Sequence, residues 1–139
     1  MPAYDPNNVF AKILRGELPS EKIYEDEHTL AFMDVMPRAD GHVLVIPKNP
    51  SRNILDAAPE DLQRTIVSVQ KVARAVKEGM KAEGVTLQQF SEPAGGQVVF
   101  HLHFHILPRW EGVSLRPPGT MAPAETLKRH AEAIRAALT

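Results

Sequence analysis

The chain has 139 residues, 43% of them hydrophobic, with a formal net charge of −1 and its acidic and basic residues interspersed. That length supports one domain with a buried core, while the balanced charge supplies neither the basic field that grips nucleic acid nor a polybasic membrane patch. There is no cysteine, which excludes disulfides and thiolate metal sites; neither a basic-then-apolar leader nor an apolar run near the roughly 20 residues of a membrane span is present, so a soluble cytoplasmic protein is expected.

In chain order, Asn7 and Asn8 offer N-caps for a short helix over 9–15 that Gly16 closes. Two strands are expected at 22–25 and 30–35 around the turn Asp26-Glu27-His28. A third runs over 42–47, entered through Pro37-Arg38-Ala39-Asp40-Gly41 and stopped by Pro47. Pro59 opens a long amphipathic helix whose apolar stripe is Leu62, Ile66, Val69, Ala73, Val76 and Met80, ending near 79–84. A strand at 85–90, a glycine-rich turn and a final strand through the histidines complete an antiparallel meander. Residues 111–139 read as a C-terminal loop and helix, the helix over 124–138. The whole, 1–139, is a single α+β domain in which helices cover one face of the sheet.

Three of the six histidines alternate in His101-Leu102-His103-Phe104-His105. On a strand, Gln97, Val99, His101, His103 and His105 share one face, and Val98, Phe100, Leu102, Phe104 and Ile106 share the other. Imidazoles at that spacing either bind a metal or provide a nucleophile with neighbours that steady developing charge. No Asp or Glu adjoins the row, which disfavours the metal. Backbone N–H groups at Gly95 and Gly96 form the sort of amide cluster that holds phosphate oxygens, and Gln97 adds a neutral donor, which favours nucleophilic chemistry at phosphorus. His28, His130, Lys48 and Arg52 read as solvated surface.

The pattern Gly96-Gln97-x-x-x-His101-x-His103-x-His105-x-x-Pro108-Arg109 resembles the signature of the histidine triad family of nucleotide hydrolases and transferases. The resemblance extends upstream through Phe10-Ala11-Lys12-Ile13, Leu30-Ala31-Phe32-Met33-Asp34 and Gly41-His42-Val43-Leu44-Val45-Ile46-Pro47-Lys48, and is nearest to the small bacterial members akin to purine-nucleoside phosphoramidases. It implies a five-stranded antiparallel sheet with two main helices, extended across a homodimer. It further implies a nucleotidyl-histidine intermediate on His103, α-phosphate contacts from His105 and Gln97 beside Gly96, and orienting roles for His101 and His42. Asp34 corresponds to a carboxylate that holds the ribose hydroxyls, with Val9, Phe10, Ile13, Phe32, Val35 and Leu44 as walls around a purine. Asn8, Ala11 and Pro50 stand where metal-bearing members place cysteines and a histidine, so no metal and no cofactor are expected. Ser91 and Val98 replace a common asparagine and a common serine or threonine at the nucleotide site. The implied activity is metal-independent hydrolysis of nucleoside 5′-phosphoramidates or related nucleotidyl conjugates. Dinucleoside polyphosphate hydrolysis and a non-catalytic nucleotide-binding module are the alternatives.

Overall fold

Asn8 opens the first helix: its side-chain oxygen accepts from the Ala11 N–H at 2.9 Å, so α1 (Val9–Leu14) starts where the cap residue puts it. In this computed structural model, which describes residues 1–139, the chain continues through β1 (Lys22–Glu25), β2 (Thr29–Met33) and β3 (Val43–Pro47). Then follow α2 (Pro59–Gly79), β4 (Gly84–Gln88), a 3-10 turn at Pro93–Gly95, β5 (Phe104–Arg109) and α3 (Ala124–Ala136). The result is the expected α+β architecture with a five-stranded antiparallel sheet.

The strand order is β1-β2-β3-β5-β4, which corrects the simple meander. Helix α2 carries the chain from β3 to the far edge, and β5 returns to fill the gap. Composition explains the choice. Ile106, Leu107 and Pro108 of β5 are buried, as a central strand requires, whereas β4 offers Thr86 and Gln88 and leaves Leu87 exposed, as an edge tolerates.

Two apolar clusters lie on opposite faces of the sheet. One joins Ala31, Met33, Val43, Val45 and Ile106 to α2 and α3. The other, smaller one gathers Phe10, Leu30, Phe32, Leu44 and Ile46 beneath α1. The buried side of α2 is Thr65, Ser68, Val69, Val72, Ala75 and Val76. The expected stripe is therefore rotated, with Ile66 exposed, because Thr65 and Ser68 are spent on hydrogen bonds. At the C-terminal end of α2 a Cβ on Gly79 would lie 2.6 Å from the Ala133 carbonyl oxygen, so only glycine lets α3 approach this closely.

Asp26 ties the β1–β2 turn to α2. One carboxylate oxygen accepts from the His28 and Thr29 N–H groups and the Thr29 hydroxyl, at 2.8, 2.7 and 3.0 Å. The other accepts from Tyr24 at 2.9 Å and Ser68 at 3.3 Å. Burial alone would raise its pKa, but these donors outweigh it and hold the carboxyl down at about 2. Asp26→Ala is expected to cost about 2 kcal/mol of unfolding free energy, the worth of charge-assisted bonds to a carboxylate. The loss should shrink as pH falls from 4 toward 2 and the wild-type group takes up its proton. Urea titrations at pH 7 and pH 3 test this; a change below about 0.5 kcal/mol at pH 7 would show the network to be ornamental.

Candidate active site

The register of β3 against β5, with Leu44 opposite His105, sets the geometry of the histidine cluster. His42 heads β3, its carbonyl accepting from the Asp34 N–H at 3.0 Å, so the chain leaving β2 is pinned beside it. Only His105 lies on β5. His101 and His103 occupy an irregular stretch before it, correcting the expected strand through all three histidines. The reason lies in β3: its pairing with β5 ends at Val45 opposite Phe104, and beyond that point the Pro47 carbonyl accepts from a side chain, His101 Nε2 at 2.8 Å. The alternation fails with it. Val98, expected to face the core, is 82% exposed. The histidines, expected to open on a face, are buried at His42, His101 and His103 and half-buried at His105.

Each ring nitrogen with a known partner fixes a tautomer. His101 donates from Nε2 to Pro47, so its Nδ1 is an acceptor, and the Tyr4 hydroxyl donates to it at 2.6 Å. The His101 carbonyl in turn accepts from His103 Nδ1 at 2.7 Å, which leaves the lone pair of His103 on Nε2. His42 Nδ1 accepts from the Arg38 N–H at 3.1 Å. Its proton therefore sits on Nε2, directed to His105 Nδ1 at 2.9 Å with Asp34 Oδ2 at 3.5 Å. Neutral His105 then carries its proton on Nε2. The rings of His103 and His105 are 4.9 Å apart, Phe10 packs edge-on against His103 at 4.9 Å, and Phe90 against His105 at 5.4 Å.

Burial keeps these imidazoles neutral. It pushes His42 down to about 3, helped by His105 and Arg38, and His105 down to about 4, helped by His103 and Arg38. His101 falls to about 4 despite the opposing Pro47 carbonyl, and His103 is lowered by burial against the pull of the His101 carbonyl. At neutral pH the cluster thus holds an uncharged nucleophilic nitrogen and, beside it, an uncharged donor.

Gln97 and the glycines take a different part from the one expected. Gln97 Oε1 accepts from the Glu92 N–H and Asn53 Nδ2, and its Nε2 donates to the Arg52 and Val99 carbonyls at 2.7 and 3.0 Å. Its amide is fully used inside the loop and offers phosphate no donor. The N–H groups of Gly95 and Gly96 are likewise taken by Glu92 and Pro93 carbonyls. Gly96 is needed for shape: its φ is +96°, and a Cβ there would press the Phe90 ring at 3.3 Å, the ring that backs His105. Arg52, expected at the surface, is buried, with Nε 2.7 Å from Glu92 Oε2. Ser91 bonds to the Gln89 side chain.

Asp34 lies at the mouth, its side chain 19% exposed. One oxygen accepts from the Met36 N–H at 2.8 Å, and burial raises its pKa. Of the expected purine walls, Phe10, Phe32 and Leu44 are buried and form a floor, Ile13 packs against them, and Val9 and Val35 are exposed at the rim. Ligand atoms of Asp34, His42 and His105 lie within 4.8 Å of one another, a set with the chemistry to hold a metal; in the structure the His42 proton occupies the space between the two imidazoles. Tyr4, Asn53 and Glu92 carry no signal in the sequence. Their partners lie far along the chain, and no local pattern marks them.

A HIT domain model matches residues 15–112. The chain is similar to a HIT-like protein involved in cell-cycle regulation from Bartonella henselae, with 54% identity, a TM-score of 0.93, and coverage of 98% of this chain and 100% of that one. It is also similar to a Zn-bound histidine triad family protein from Mycobacterium smegmatis, with 34% identity, a TM-score of 0.84, and coverage of 94% and 92%. A third is a HIT family hydrolase from Clostridium thermocellum, with 38% identity, a TM-score of 0.68, and coverage of 77% and 94%. On this match and on the histidine row itself, the chain belongs to the HIT family, whose members are typically nucleotide hydrolases or nucleotide-binding proteins.

Proposed function

We propose that this chain hydrolyses nucleoside 5′-phosphoramidates or related nucleotidyl conjugates at the α-phosphate, with purine nucleotides as the substrate class and no metal required. The observation that carries the reading is the tautomer chain: the His103 Nδ1–H is committed to the His101 carbonyl, so the in-plane lone pair of Nε2 is the nucleophile. His103 Nε2 attacks phosphorus and the P–N or P–O bond to the leaving group breaks. The departing amine or alcohol keeps the bonding pair and takes its proton from solvent, while the neutral His105 Nε2–H donates a hydrogen bond to an α-phosphate oxygen. Water then displaces His103 from the nucleotidyl-histidine, its released proton returning to solvent, which frees the nucleoside monophosphate and restores the neutral ring. Asp34 holds the ribose at the mouth of the site and Val9 and Val35 flank the base. The open β4 edge with its exposed Leu87 suits pairing with a second copy, which makes a homodimer part of this reading.

Removing the nucleophile gives the direct test. His103→Asn should lower kcat by at least about 10³-fold against adenosine phosphoramidate while AMP binding stays close to wild type, because base and ribose contacts lie elsewhere. A variant that still turns over at a tenth of the wild-type rate would place the nucleophile on another residue.

The ribose role of Asp34 predicts that Asp34→Asn narrows the preference for AMP over dAMP, since only a 2′-hydroxyl can use that carboxylate. Its bond to the Met36 N–H supplies the competing, turn-forming role. In that case stability would fall and the AMP to dAMP ratio measured by calorimetry would not move.

Acid should destabilise the fold before most carboxylates titrate. A histidine whose folded pKa is lowered binds fewer protons than the unfolded chain, so stability is full above the unfolded value of about 6.5 and falls as pH drops toward the folded values. With His42 at about 3 and His101 and His105 at about 4, the window runs from about 6.5 to 4 for His101 and His105 and on to about 3 for His42. Thermal unfolding at pH 7.0 and 5.0 should differ by several degrees, and a flat Tm across that interval would mean that the imidazoles are solvated.

A further inference from the structure

The oxygen that holds the nucleophile belongs to a stretch with little backbone support. From Val98 to Leu102 the main chain makes one bond to other main chain, from the Leu102 N–H to the Ser51 carbonyl at 2.9 Å. The His101 carbonyl, 2.7 Å from His103 Nδ1, therefore depends for its position on the side chain of its own residue.

That side chain is gripped at both ring nitrogens. Nε2 donates to the Pro47 carbonyl at 2.8 Å, and Nδ1 accepts from the Tyr4 hydroxyl at 2.6 Å, with the Tyr4 ring edge-on at 5.6 Å. A single bond leaves an imidazole free to swing about the bond axis, whereas two bonds diverging from the ring fix its plane. Tyr4 is itself firmly set. Among residues 1–7 it alone is half-buried, the others being exposed. The segment that follows is tied to α1: the Asp5 carbonyl accepts from Asn8 Nδ2 at 2.7 Å, and the Pro6 carbonyl accepts from Arg15 Nη1 at 2.8 Å. Pro6 also confines Asp5 to an extended backbone. Segment 4–10 thus lays one aromatic edge, Tyr4, against His101 and another, Phe10, against His103. Burial raises the pKa of the Tyr4 phenol, so the hydroxyl keeps its proton at neutral pH and serves as a donor.

We propose that Tyr4 is a positioning residue for the nucleophile: by holding the His101 ring it keeps the His101 carbonyl aligned on the His103 Nδ1–H while His103 reacts. The inference rests on the hydrolase reading and gives a role to a hydroxyl that touches neither the reacting nitrogen nor the substrate. As the bond from His103 Nε2 to phosphorus forms and the bond to the leaving group breaks, the imidazole acquires positive charge. Its Nδ1–H then makes a charge-assisted bond to the carbonyl, stronger than the bond of the resting neutral ring. Alignment is therefore worth more in the transition state than in the substrate complex, and its loss falls on kcat rather than on KM.

Tyr4→Phe keeps the aromatic edge and removes the hydroxyl alone. With adenosine phosphoramidate its kcat should fall about five- to tenfold, the worth of one neutral hydrogen bond, while KM stays within about twofold of wild type. The path through His101 is read without substrate, from the ring protons of ¹⁵N-histidine-labelled protein. In wild type the His103 Nδ1 proton should be far downfield and protected from exchange; in Tyr4→Phe it should move upfield or broaden. A kcat within about twofold of wild type overturns the proposal whatever the spectrum shows. So does a fall in kcat with the His103 Nδ1 proton unmoved, because Tyr4 would then act by another route. A rise in KM at constant kcat would make the hydroxyl a substrate contact, and a lower Tm at constant kcat would make it a structural tie; either result removes the positioning role. Wild-type protein that fails to hydrolyse the phosphoramidate would sink the hydrolase reading and the role of Tyr4 with it, an outcome distinct from an active wild type matched by Tyr4→Phe.

Discussion

A buried imidazole has to be neutral, and a neutral imidazole has one donor and one acceptor to satisfy. That constraint governs the rest of the molecule, because His42 and His101 are 1% and 0% exposed and His103 is 7% exposed. The bonds to Pro47, Arg38 and the His101 carbonyl each remove one choice of tautomer, and Tyr4 then donates to the His101 Nδ1 left as acceptor. What is left is a single arrangement with a lone pair on His103 Nε2 and a proton on His105 Nε2. The chemistry is thus a by-product of satisfying hydrogen bonds in a low-dielectric interior. Charging His42 or His105 would leave a donor facing a donor, at the Arg38 N–H or between the two rings, and lose both bond and neutrality.

The backbone gives up regular pairing to meet that constraint. The stretch 98–103 has the composition of a strand, yet its neighbour β3 stops offering partners after Val45. The freed Pro47 carbonyl goes to a side chain, and Leu102 donates to Ser51 instead. What a ladder would have supplied comes from a side-chain network: Arg52, Asn53, Glu92 and Gln97 bond to one another and to the two loops flanking the cluster. Gly96 completes it by leaving room for Phe90 to pack edge-on behind His105. In the proposed reaction none of these groups touches the substrate, yet they decide where the three imidazoles stand.

The sequence disclosed the elements and the identity of the cluster for physical reasons that also explain the errors. Strand alternation and helix periodicity are local, so 22–25, 59–79 and the histidine row were legible from the residues alone. Strand order is not local: the insertion of β5 between β3 and β4 depends on which apolar strand is better buried. The roles of Gln97, Gly95 and Gly96 were misassigned because their types suit phosphate, while their actual partners, Asn53, Arg52, Glu92 and Pro93, come from loop closures that no spacing announces. Tyr4 was invisible for the same reason, meeting His101 across 97 residues of chain.

The family match stops short of several groups that shape the site. Residues 15–112 contain all four clustered histidines and Asp34. Tyr4, which donates to His101 Nδ1, and Phe10, which packs against the His103 ring, precede that span, and Arg116, which pairs with Asp40, follows it. The reacting groups are therefore held by the sheet, whose register admits little change, because a slip of one residue would turn His105 to the opposite face. Groups that contact His101 and His103 come instead from the segment before that span. That segment can change without disturbing the register, so the surroundings of His101 and His103 are freer to vary than the strand that carries His105.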